Sequence, residues 1–168
     1  MPRRLPFRAP RPLRYPAAMD AERARQEAID LGPLPGLLGH LLRRSHTRML
    51  LDFTESTAEY GITSGEFALL CLVEVNPGIT LGQLAQAAGL DKSTLSPAVQ
   101  RLADRGLVER HAVSGDRRAQ ALHLSEAGQA LLPPFKACVA RHEERLAAPL
   151  SAGERATLMR LLRKLNGL

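Results

Sequence analysis

Gly89 stands between two amphipathic segments, and it constrains the chain more than any other residue. The run Thr80-Leu-Gly-Gln83-Leu-Ala-Gln-Ala-Ala88 has Thr80 as a helix cap and Gln83 placed to reach back in a capping box. Gly89 stops that helix. After Leu90, Asp91 opens a second segment whose apolar residues Leu95, Ala98, Val99 and Leu102 share one helical face, and Gly106 ends it. Leu107–Val113 and Ala119–Leu124 are short strand-like runs. They are joined by Ser114-Gly-Asp-Arg-Arg118, a Gly-Asp turn with two adjacent arginines.

Helix, tight turn, helix and basic hairpin form the layout of a winged helix-turn-helix, a fold that is mainly α with a small β-hairpin wing. A helix fits the DNA major groove, and an arginine-tipped hairpin reaches the adjoining minor groove or backbone. The polar face left on the second helix carries Lys92, Ser93, Thr94, Ser96, Gln100 and Arg101. Base reading is expected of Ser93, Thr94, Ser96 and Gln100, and phosphate contacts of Lys92 and Arg101. Pro97 conflicts with this helix, because an interior proline costs about 3 kcal/mol. The expectation is an irregular first turn from Lys92 to Thr94.

The order and spacing of several pieces resemble the MarR family of transcriptional regulators. They are Leu90-Asp-Lys-Ser-Thr-Leu-Ser96, Gln100-Arg-Leu-Ala-Asp-Arg-Gly-Leu-Val-Glu-Arg110, Gly115-Asp-Arg-Arg-Ala119 and Leu124-Ser-Glu-Ala-Gly128. The resemblance runs from about Leu34 to the C-terminus. It implies a homodimer with two DNA-binding lobes, usually a repressor, released from its operator by a small aromatic or acidic ligand. It also assigns Asp116 and Arg118 the acid and base of an Asp-x-Arg wing pattern, in which the Asp aims the guanidinium into a narrow minor groove. Arg117 is then a phosphate contact. The implied organisation is a basic tail and linker over 1–32 and a MarR-type domain over 33–168. Within that domain 62–124 is the winged lobe, and 33–60 with 125–168 are dimerisation helices.

The segments outside the lobe fit that scheme. Leu34, Leu37, Leu38, Leu41, Leu42, Met49 and Phe53 make an apolar stripe ending near Tyr60. Thr63-Ser-Gly-Glu66 and Ser151-Ala-Gly-Glu154 are two more capping boxes, and Ser125 can cap a long helix in which Pro133-Pro134 forces a bend or a break. The last helix has Leu158, Leu161, Leu162 and Leu165 on one side. Pairing with a second chain is the economical cover for these stripes, and it predicts an inverted-repeat operator with half-sites ~10 bp apart.

The family's effector sits between the reading lobe and the dimer helices, which implies Arg43, Arg44 and His46 on the first helix and Phe67 on the second as ligand-binding residues. Leu41-Leu-Arg-Arg-Ser-His-Thr-Arg48 is similar to a segment of members that sense hydroxycinnamoyl-CoA esters and related aromatic acids, so the implied effector is a small aromatic acid or an aromatic acyl-CoA. The alternative is a solvated cationic helix face. A constitutive dimeric DNA-binding protein without an effector also stays open.

Other classes find little support. No GxGxxG, GxSxG, HExxH or P-loop is present, so catalysis is not expected. Cys71 and Cys138 lie on apolar helix faces and form no CxxC, and His111 with His123 is a poor start for a metal site; no metal or cofactor is expected. No apolar run approaches the ~20 residues of a membrane span, and a reducing cytoplasm is the expected setting. The net charge of +6 is misleading, because residues 1–18 hold five arginines and no acid while the rest of the chain is +1. Locally, Lys92–Arg118 is +3, the basic patch a DNA reader needs. The Pro- and Arg-rich tail is expected to be disordered, either as an electrostatic arm or because translation begins at Met19.

Overall fold

The computed structural model describes the backbone of residues 29–113 and 116–168, and the side chains of 29–112 and 120–168. The expectations for the tail therefore fall mostly outside the described residues. By internal packing the chain divides into two units, one ending at Arg48 and one starting at Met49. In the first, a 3-10 turn at Leu34–Gly36 precedes the start of helix α1, Leu38–Ser56, whose residues from Met49 onward belong to the second. Leu34, Leu37, Leu38 and Leu41 are all exposed there.

In the second unit, a 3-10 turn at Ala58–Tyr60 follows α1, and Thr63 caps α2, Ser64–Val75. The capping box is complete: Thr63 Oγ1 accepts from Glu66 N, and Glu66 Oε2 accepts from Thr63 N at 3.0 Å. Leu69, Leu70 and Val73 of α2 are buried. The chain then turns through Asn76-Pro-Gly78 into β1, Ile79–Thr80. Only two residues long, β1 carries no periodic pattern and was not expected from the sequence. Thr80 closes the second capping box over α3, Leu81–Ala88, and Gly89 ends that helix at φ 65°. That left-handed conformation suits glycine, and it lets Leu90 N donate to Ala85 O at 3.0 Å before the chain reverses.

Helix α4, Lys92–Asp104, corrects the expectation for Pro97. It is α-helical from Lys92, and the irregularity is limited to Asp91 O accepting from both Thr94 N and Leu95 N at 3.1 Å. Pro97 deprives the Ser93 carbonyl of its donor, but both residues are exposed, so water can serve that oxygen. Meanwhile Leu95, Val99 and Leu102, each at most 2% exposed, contribute roughly 2 kcal/mol apiece. Their burial outweighs the local penalty.

Strands β2, Val108–Val113, and β3, Asp116–Leu124, form the hairpin, with β1 on the far side of β3, giving the antiparallel order β1-β3-β2. Val108 pairs with Leu124 and His111 with Ala121, with an irregularity between Ala112 and Val113. Ser125 then caps α5, Glu126–Ala147. At this corner Ser125 N donates to Leu107 O at 3.1 Å, and a Cβ on Gly128 would stand 2.2 Å from the same oxygen. Pro133 and Pro134 do not interrupt α5, which runs through them as one element, since both are exposed and their neighbours Leu132 and Phe135 are fully buried.

Around Phe135 lies an aromatic cluster. Tyr60 stacks on it at 4.5 Å between centroids, Phe67 meets it edge-on at 4.9 Å, and Phe53 edge-on at 6.2 Å. Helix α6, Ala152–Leu165, opens with the third capping box, and not one of its residues is buried. Leu158, Leu161 and Leu165 remain open to solvent in the single chain.

Candidate nucleic-acid interface

Helix α4 presents one face to the core and the other to solvent. With Leu95, Val99 and Leu102 fixed inward, the helical repeat turns Ser93, Thr94, Pro97, Gln100, Arg101 and Asp104 outward, and all six are exposed. Ser96 is half-buried at the margin. The structure thus places the α4 candidates Ser93, Thr94, Gln100 and Arg101 on one exposed surface, but it also shows commitments that sequence did not reveal. Gln100 Nε2 donates to Asp104 Oδ1 at 2.6 Å. Lys92 extends over the first turn of α3, where a Cβ on Gly82 would come within 3.1 Å of Nζ. Its ammonium therefore sits at the junction of the two helices.

Arg101 is held from below. Its Nε donates to Glu66 Oε1 at 2.8 Å; the Glu66 side chain is 5% exposed and that of Arg101 58%. Burial pushes the Glu66 carboxyl up, but the hydrogen bonds from Thr63 and Arg101 outweigh it and hold the group below its ordinary value. Arg105, part of the basic patch by sequence, is engaged with the fold: its Nη1 donates to Gly61 O at 2.5 Å and Nη2 to Tyr60 O at 2.7 Å. Arg110 reaches Gln120 Oε1 across the hairpin at 3.5 Å.

In the wing, Asp116, Arg117 and Arg118 open β3, and their side chains lie outside the described residues. Lower on the hairpin, His111 Nε2 is 3.1 Å from Glu109 Oε2, and the rings of His111 and His123 meet edge-on at 5.0 Å. Among the described residues no cluster of His, Cys, Asp or Glu could hold a metal ion, and no helix is long and apolar enough to cross a membrane.

The ligand candidates are distributed over both units. Arg43, Arg44 and His46 are exposed on α1 in the first, whereas Phe67 is half-buried in the aromatic cluster of the second. Sequence reasoning missed a polar cluster beside those rings. His142, fully buried, holds Asp52 Oδ2 through Nδ1 at 2.5 Å, and Arg145 hydrogen-bonds Ser56 while standing 3.9 Å from Asp52. His142 Nε2 has no hydrogen-bond partner among the described residues. The available signal was a histidine inside an apolar stripe, since a buried imidazole requires a partner. Burial raises the Cys71 thiol pKa, which is not the character of a reactive thiolate, and the buried Cys138 Sγ donates to Ser56 O at 3.2 Å.

Comparison with known proteins places this geometry. A family model described as "MarR family" matches residues 60–119. The chain is 34% identical over 128 residues to the HTH-type transcriptional repressor NicR of Pseudomonas putida, covering 76% of this chain and 81% of that one. It resembles the structure of the transcriptional repressor CouR bound to a 23-mer DNA duplex, with a TM-score of 0.77 and 32% identity, covering 82% of this chain and 98% of that one. It also resembles BpsR of Bordetella bronchiseptica, whose DNA binding is regulated by 6-hydroxynicotinic acid, with a TM-score of 0.72 and 26% identity over 77% of this chain and 98% of that one.

Proposed function

This chain belongs to the MarR family, and from that premise we propose that it is a transcriptional repressor acting in the cytoplasm as a homodimer on an inverted-repeat operator, from which a small aromatic acid or aromatic acyl-CoA releases it. The observation that carries the DNA reading is the exposed polar arc of α4 standing on a fully buried apolar face. Ser93, Thr94, Ser96 and Gln100 read base edges, and Lys92 and Arg101 take phosphates. Asp116 and Arg118 serve the minor groove at the wing tip, with Arg117 on the backbone. Pairing of two chains is supported by α6, whose Leu158, Leu161 and Leu165 find no cover among the described residues of one chain. Arg43, Arg44, His46 and Phe67 bind the effector, guanidinium groups being suited to a carboxylate or to phosphates. CouR and BpsR, both similar over most of this chain, lend the DNA and aromatic-acid parts of the reading their support.

The test is fluorescence anisotropy with the intergenic DNA upstream of the gene, at two salt concentrations and with random DNA as competitor. Competitor-resistant binding at one dimer per inverted repeat is expected, with loss of binding on adding a member of an aromatic-acid and acyl-CoA panel. Equal, strongly salt-dependent binding to both DNAs would overturn the sequence-specific reading. Specific binding that no panel member weakens would favour a constitutive repressor.

A further inference from the structure

Glu66 has two carboxylate oxygens and uses them in opposite directions. Oε2 accepts from Thr63 N and Thr63 Oγ1, both at 3.0 Å, and so belongs to the start of α2. Oε1 accepts only from Arg101 Nε at 2.8 Å, across 35 residues of chain. Capping requires neither burial nor a second partner: Glu154 completes the same box on α6 while exposed. Glu66 is 4% exposed, and a carboxylate is taken out of water at a cost that its partners must offset.

The Arg101 side makes the arrangement informative. A guanidinium offers five N–H groups in a rigid plane. Glu66 takes the one on Nε, at the inner edge. Nη1 and Nη2 have no hydrogen-bond partner among the described residues, and the side chain as a whole is 58% exposed on the same outward arc as Ser93 and Thr94. An arginine fixed at Nε has lost most of its rotamer freedom, yet keeps its outer nitrogens for the two non-bridging oxygens of a phosphate.

We propose that Glu66 is a positioning residue for DNA binding: it grips Arg101 by Nε from beneath the reading helix, so that the outer nitrogens stand ready as a phosphate clamp. This rests on the DNA-binding reading above, and adds to it a residue that itself touches no DNA. Ordering the arginine before the encounter reduces the entropy lost on binding.

The experiment is a double-mutant cycle on the full chain. Binding to a mixed-sequence duplex about three helical turns long, and to the gene's own upstream DNA, is measured across a salt series. The variants are Glu66→Gln, Arg101→Gln and the two combined. The glutamine oxygen can still accept from Thr63, while its amide group faces Arg101 with a donor. Arg101→Gln is expected to weaken binding about tenfold and to lower the salt slope by about 0.9. Glu66→Gln alone is expected to weaken binding severalfold, and to weaken it no further once Arg101 is glutamine.

An equal loss in both backgrounds would show that Glu66 acts through the fold and overturn the proposal, as would unchanged or tighter binding of Glu66→Gln. If Glu66→Gln does not fold, Arg101→Lys decides. Lysine keeps the charge but carries its three donors on one atom, which cannot span from Glu66 Oε1 at the inner edge to a phosphate at the outer edge of the guanidinium, so a severalfold loss is expected, and wild-type affinity would overturn the clamp. Failure of the unaltered chain to bind either duplex would instead refute the DNA-binding reading itself.

Discussion

Nδ1 of His142 lies 2.5 Å from Oδ2 of Asp52, ninety residues earlier in the chain, and the pair joins α5 to α1 beside the ring of Phe53. His142 is fully buried, and its Nε2 already has no hydrogen-bond partner among the described residues. Asp52→Ala would leave both ring nitrogens without a hydrogen bond, at a cost of about 2–3 kcal/mol. Urea unfolding should show a lower midpoint with the slope unchanged, and Asp52→Asn, which keeps an acceptor, should lose less. An unaltered midpoint for Asp52→Ala would mean that the pair does not stabilise the fold.

Acid should weaken the fold through Glu66. Its carboxyl is held below the ordinary value of 4.5, so the unfolded chain binds that proton more readily than the folded one. The contribution is therefore complete above pH 4.5 and is lost as pH falls through the lower folded value. Denaturation curves recorded between neutral and acid pH should converge for wild type and Glu66→Gln at the acid end. Curves that stay parallel throughout would contradict the assignment.

The two kinds of contact on α4 should separate on mutation. Gln100→Ala is expected to relax preference among operator variants, and also to free Asp104 from its 2.6 Å hydrogen bond. Lys92→Ala is expected to weaken every sequence alike and to lower the salt slope by about 0.9. Quantitative shift assays on a set of single-base operator variants distinguish the two, and an exchanged pattern would reverse the roles.

Helix α6 makes the oligomeric state testable without disturbing the fold of one chain. Leu161 and Leu165 are 48% and 58% exposed in the single chain, so aspartate at both removes nothing from the core. Sedimentation should show a dimer for wild type and a monomer for the double substitution, with the helical circular dichroism retained outside α6. A dimer that survives would place the interface elsewhere.

What could be read in the sequence was local, and what could not was distant. The boxes at Thr63, Thr80 and Ser151 each join residues three apart, and all three are formed. The outward arc of α4 followed from the spacing of Leu95, Val99 and Leu102. Glu66 was legible as a cap but not as the anchor of Arg101, because no short-range pattern links residues 35 positions apart. The Asp52–His142 pair was hidden for the same reason, and β1 because two residues have no period. At Pro97 and Pro133-Pro134 the local penalties were real, and burial of neighbouring side chains exceeded them.

The corner where the hairpin meets α5 bears on how this chain can vary over evolutionary time. The Leu107 carbonyl occupies the space where any side chain at position 128 would begin, while Glu126, Ala127 and Gln129 around it face solvent. A library randomised over these four positions and selected for folding would return a single letter at 128 and a wide alphabet at the other three. The angle at which the hairpin leaves the long helix is thus recorded in one glycine, and a lineage that lost it would have to redraw the whole corner.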